Sequence, residues 1–140
     1  MIDITQAILS LDSNAQFTVS GSPSNEAEYQ AQVKYVTGAD ENGSAIFSDT
    51  QPWTWAQVSA KKTELENAEP LRKLREQRDL KFKDEVDPIS LKYLSTGQSI
   101  PSAWTTYANA LRDLPANYST SDSAALSADL SNLVWPTKPE

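Results

Sequence analysis

Short runs of apolar periodicity alternate with polar breaks along this chain. Ile4, Ile8 and Leu11 fall at helical spacing and predict one or two helical turns over residues 5–11. Asp12-Ser13-Asn14 then ends the run with side chains that prefer turns. Gln16-Phe17-Thr18-Val19-Ser20 alternates polar and apolar, the pattern of a half-buried strand, and Gly21-Ser22-Pro23-Ser24-Asn25 reads as a loop. Tyr29, Ala31, Val33 and Tyr35 repeat at every second position and predict another strand over residues 29–36. A two-stranded ribbon is marginal in water, so it should pack on a helix or on a partner. Residues 37–52, with Gly38, Gly43 and Pro52, read as a loop.

Helical signals dominate the remainder. Thr54 and Gln57 stand three residues apart, as in a capping box, ahead of Trp55, Val58, Lys62 and Leu65. Pro70 lacks an amide hydrogen and should kink or restart the helix, which continues densely charged over residues 70–84. Asp87-Pro88 opens the next helix, with Leu91 and Leu94 expected to face the core until Gly97 ends it. Trp104, Tyr107, Ala108 and Leu111 give a last helix one apolar face after Pro101-Ser102, and Pro115 closes it. Ala124, Ala125 and Leu126, with Leu130 and Leu133, suggest a short further helix within the polar stretch. Each proline of Val134-Trp135-Pro136-Thr137-Lys138-Pro139 biases its predecessor away from the α region, so this end is expected to be extended. The pattern as a whole predicts an α+β chain. A small N-terminal β-ribbon occupies residues 1–52, and a C-terminal bundle of short helices with an extended tail occupies residues 53–139.

Composition narrows the chemistry. With 140 residues, 39% of them hydrophobic, the chain can bury a core without metals or disulfides. It has no cysteine and no histidine, which excludes thiolate zinc sites, cysteine nucleophiles and imidazole chemistry. The net charge is −7. Residues 1–52 hold seven acids against one lysine, whereas residues 53–115 are nearly balanced. Nucleic-acid binding would call for a basic surplus or stripe, so none is expected. No stretch approaches the roughly 18 apolar residues of a membrane span, and Met1-Ile2-Asp3-Ile4-Thr5 does not open like a signal peptide. Work in the cytoplasm of the expressing cell is the expectation.

Candidate catalytic groups are sparse. Asp84, Glu85 and Asp87 form the densest acidic cluster, read as a solvated helix end, and they lack the spaced ligands and central glycine of a calcium loop. No G-x-S-x-G elbow or glycine-rich phosphate loop is present. No catalytic, cofactor or metal site is therefore expected. The aromatics carry more information. Trp55 and Trp104 read as core residues joining helices. Trp53 and Trp135 lie on segments without a clear buried face, so they, with Val134 beside Trp135, are candidate partner-binding residues, weighed against packing on the chain's own core. Arg78 or Arg112 is a candidate for a partly buried fork onto a carboxylate, weighed against simple surface pairing.

Four motifs in order carry a resemblance over residues 70–139. They are Arg75-Glu76-Gln77-Arg78-Asp79; Leu94-Ser95-Thr96-Gly97-Gln98 after the acidic stop at Asp87; the run from Trp104-Thr105-Thr106-Tyr107 through Ala110-Leu111-Arg112-Asp113-Leu114-Pro115; and the close Val134-Trp135-Pro136-Thr137-Lys138-Pro139. This half resembles the phage tail assembly chaperones, also called tail-fibre assembly proteins. Ala108 stands where that pattern has arginine, and Glu85-Val86-Asp87 where Thr-Asp-Trp is common. The N-terminal half is loosely similar to the start of small tail-fibre-associated proteins of marine cyanobacterial phages. The resemblance implies a phage protein that assists folding, trimerisation or attachment of a tail-fibre or other tail protein without nucleotide. It would act in the host cytoplasm during assembly. The alternative is a structural virion component, a tail or fibre adaptor or cap.

Overall fold

A computed structural model describes residues 1–48, 50–118 and 126–140. The chain is α+β: a three-stranded antiparallel sheet near the N-terminus, then a long helix and further helices. It divides into two compact units, Met1–Glu66 and Asn67–Glu140.

In the first unit, helix α1 (Ile4–Leu11) starts at a reciprocal cap. Asp3 Oδ1 accepts from the Gln6 amide at 2.9 Å and Gln6 Oε1 accepts from the Asp3 amide at 3.0 Å. Strand β1 (Phe17–Val19) follows where the alternation predicted it. Residues 29–36 are not one strand. Glu26–Gln32 forms helix α2, and β2 runs from Val33 to Ala39. The Asn25 side chain accepts from the Glu28 amide at 3.0 Å, and the Glu28 carboxylate accepts from the Ser24 amide at 2.7 Å. These caps, with two acids near the positive helix end, favour helix through Gln32. Tyr29 and Val33 satisfy both periods because four residues is one helical turn and also two strand repeats. Ala31, which carried the alternation, is exposed.

The expected loop over residues 37–52 also holds structure. Ala45–Phe47 forms β3, joined to β2 by a turn in which Asp40 Oδ1 accepts from the amides of Asn42 and Ser44 at 2.8 and 2.9 Å. The sheet order is β1-β2-β3, with Phe17 opposite Tyr35, Val19 opposite Val33, Val36 opposite Phe47 and an irregularity between Val36 and Gly38. Ile4, Ala7, Ile8, Tyr29, Val33, Tyr35 and Val58 form the core.

Helix α3 (Trp55–Lys81) begins at the expected box, with Gln57 Oε1 accepting from the Thr54 amide at 2.9 Å and Thr54 Oγ1 from the Gln57 amide at 3.2 Å. Val58 lies in the N-terminal core, with Trp53 and Trp55 packed against it. The units therefore divide inside α3, later than the boundary at residue 52 expected from the pattern of elements. Pro70 does not restart the helix; the helix passes through it. Its fixed φ is itself helical, so what is lost is the donor for the Glu66 carbonyl. The Pro70 ring is buried, and exposed ion pairs flank it: Lys62 with Glu66 at 2.5 Å, and Arg72 with Glu69 and Glu76. At 27 residues, α3 is also longer than the short helices expected.

In the second unit a π-helical turn (Phe82–Val86) links α3 to helix α4 (Asp87–Ser95), followed by α5 (Ser102–Asp113) and a 3-10 turn (Leu114–Asn117). Gly97, at φ +68°, ends α4 in a Schellman arrangement: its amide donates to Leu94 at 3.1 Å and the Gln98 amide to Tyr93 at 2.9 Å. Tyr107 and Leu111 turn into the core from α5, as its apolar face predicted, while Trp104 is half-buried. One cluster joins Leu74, Leu114 and Leu126; another joins Val86, Tyr107 and Leu111. The suggested helix around Ala124 and Ala125 lies outside the described residues; Leu126, Leu130 and Leu133 are described and are not helical.

Candidate partner-binding site

The C-terminal segment shows how the chain disposes of its own apolar groups. Leu130 sits at φ +59°, an uncommon conformation for a branched side chain, inside a turn where its amide donates to Ser127 and the Leu133 amide donates back to Leu130. The Val134 amide then donates to the Tyr118 hydroxyl at 3.1 Å. These ties bring Trp135 back onto its own unit, where it packs against both clusters with Lys81 Nζ 5.0 Å from the ring centroid. Val134 faces away and is 74% exposed. Trp53 is likewise half-buried on its own core, 5.8 Å from the Tyr35 ring, and its carbonyl accepts from the Tyr29 hydroxyl. Of Trp53, Val134 and Trp135, only Val134 presents most of its surface outward.

Helix α4 does the opposite. None of its nine residues is buried, and Leu91 and Leu94 are 67% and 64% exposed, contrary to the expected core-facing position. Its half-buried positions are Ile89, Ser90 and Tyr93. Ser90 and Tyr93 each stand one residue before a leucine, an offset of about 100° around a helix axis. A π-helical turn stands immediately ahead of α4. Spacing alone puts the leucines on one side of the helix without saying where that side points, so they read as core.

The same turn points Glu85 inward. Its Oε2 accepts from the Tyr107 hydroxyl at 2.5 Å, and Lys81 Nζ lies 3.4 Å from Oε1. The Tyr107 hydrogen bond holds the Glu85 carboxyl below its ordinary range, assisted by Lys81 and Lys138. Burial, then the bond to Glu85, pushes the Tyr107 hydroxyl up to about 12. Arg112 makes no carboxylate fork among the described residues. It donates to Asn109 Oδ1 at 2.7 Å and lies 5.9 Å from the Phe82 ring. Arg78 places Nε and one terminal nitrogen on Asp79 Oδ1, its exposed neighbour in sequence, at 3.0 and 2.8 Å. Among the described residues, no three His, Cys, Asp or Glu side chains cluster as metal ligands would, and no helix is long and apolar enough to cross a membrane.

What this arrangement offers chemically is contact surface: two exposed leucines on a helix with no fully buried residue. Compared with known proteins, the chain matches no family model, no curated protein and no solved structure.

Proposed function

We propose that this chain is a non-catalytic phage protein that assists folding, trimerisation or attachment of a tail-fibre protein in the host cytoplasm. The observation that carries the reading is the bare apolar side of α4, where Leu91 and Leu94 meet water although a polar residue at either site would cost the fold nothing in burial. Covering a leucine fully contributes about 1.5–3 kcal/mol, so two of them support a contact strong enough to shield a partner and weak enough to release it. The identity of the partner rests on the ordered C-terminal motifs from Arg75 to Pro139 and their resemblance to tail assembly chaperones.

Co-expression with the fibre polypeptide tests this. Replacing Leu91 and Leu94 together by serine is expected to lower the yield of trimeric fibre while leaving the melting temperature nearly unchanged. Unchanged fibre yield would overturn the reading. Assay of mature particles separates the alternative: a chaperone is depleted from them, whereas an adaptor or cap is present in stoichiometric amount.

A further inference from the structure

A cleft of about 510 Å³ opens on the N-terminal unit, lined among others by Glu26, Gln30, Lys34, Gln51, Trp53 and Trp55. Its size falls within the roughly 300–1,000 Å³ of small-molecule sites. Both tryptophans pack on buried tyrosines. Trp53 meets the buried Tyr35 and Trp55 the buried Tyr29, each with ring centroids 5.8 Å apart. Gln51 is pinned as well, because its Nε2 donates to the carbonyls of Tyr29 and Val33, both at 3.1 Å. Only the NH2 end of an amide can donate twice, so the orientation is decided and the side-chain oxygen is left as an acceptor. Among the described residues it accepts no bond. Lys34 Nζ uses one donor on the Gln30 carbonyl at 2.8 Å, and Glu26 accepts one bond, from Gln30 Nε2 at 3.3 Å. Among the described residues, two ammonium hydrogens and most of the carboxylate lone pairs are left for a ligand.

We propose that this cleft binds a neutral saccharide. The weakly positive C–H bonds on one face of a pyranose match the negative face of an indole. Its hydroxyls both donate and accept, so they can serve Gln51, Glu26 and Lys34 together. A purely apolar ligand would strip water from the Gln51 oxygen and the Glu26 carboxylate without replacing it. A phosphate or an acidic sugar would find one lysine in a unit that carries nine carboxylates against three lysines. The cleft uses no residue of α4 or of the C-terminal segment, so its failure and that of the tail-fibre reading are distinguishable.

The test is a titration of the full chain, followed by the indole N–H resonances of its four tryptophans. The probes are neutral oligosaccharides of glucose, galactose and mannose, with glucose 6-phosphate and sialyllactose as anionic arms. Saturable shifts of Trp53 and Trp55 by a neutral sugar are expected, with Trp104 and Trp135 unmoved. Glu26→Ala removes an exposed side chain that, among the described residues, bonds Gln30 alone, so its fold should persist, checked by its melting temperature, while its affinity falls about tenfold or more. Three results would overturn the proposal: no neutral sugar moves either resonance up to about 100 mM, an anionic arm binds more tightly, or Glu26→Ala binds like the parent.

Discussion

At Tyr29 a single proton determines a chain of bonds. Its hydroxyl donates to the Trp53 carbonyl at 2.9 Å, so in its 2.9 Å contact with the Tyr35 hydroxyl it must accept. Burial pushes both phenols above their ordinary values, most strongly Tyr35. Tyr29→Phe removes the partner that the Trp53 carbonyl and the Tyr35 hydroxyl have among the described residues and is expected to cost about 1–3 kcal/mol in urea unfolding. Tyr35→Phe strands no donor and should cost less. A reversed order would mean that water supplies the missing bonds. The Glu85–Tyr107 pair makes a second prediction, in pH. The folded carboxyl of Glu85 is depressed, so its contribution is present above its unfolded value and is lost as pH falls through the folded one. The folded hydroxyl of Tyr107 is raised to about 12 from an ordinary 10, so its contribution is present below the latter and is lost as pH rises between them. Tyr107→Phe should therefore flatten the stability profile at both its acid and its alkaline end, measured as melting temperature against pH. Sequence showed neither pair, because each joins residues on different elements.

Among the elements, α3 raises the sharpest question, since a proline inside a helix costs about 3 kcal/mol. Pro70→Ala returns a donor to the Glu66 carbonyl but loses part of a buried ring. The first effect is the larger, so the variant is expected to be more stable by about 1–2 kcal/mol in denaturant unfolding. Lower stability would mean that the ring is packed too tightly to replace. The caps at Thr54 and Gly97 were legible in sequence because each acts within a turn of the residues that define it. The helix over Glu26–Gln32 was not legible: its cap residue Asn25 closes a stretch of loop composition, and the alternation of Tyr29, Val33 and Tyr35 points to a strand. The third strand was not legible. All of Ala45–Phe47 is exposed, and its identity as strand comes from bonding to β2.

At the scale of the whole molecule, each unit holds its own buried residues, and the described C-terminal segment belongs to the second. Truncation after Asn132 removes Trp135 from both clusters and takes the ring away from Lys81. A loss of about 2 kcal/mol is expected for a half-buried tryptophan, which should lower the melting temperature by several degrees by circular dichroism. A melting temperature that barely moves, with loss of fibre yield, would instead make the segment an arm for the partner.

Sequence by itself determined the α+β class, the stretches that begin and end most helices, strand β1 and the inward face of α5, because these follow from local bonds and from periodicity within one element. Tertiary structure alone decided which apolar side chains the molecule keeps and which it shows. Trp53 and Trp135 lie on segments with no periodic face, and only contact with Tyr35 and with the two leucine-centred clusters places them on their own cores. Leu91 and Leu94 had the right spacing for burial, yet α4 leaves them in water. Spacing states which residues share a side of a helix; the elements packed around it determine where that side points.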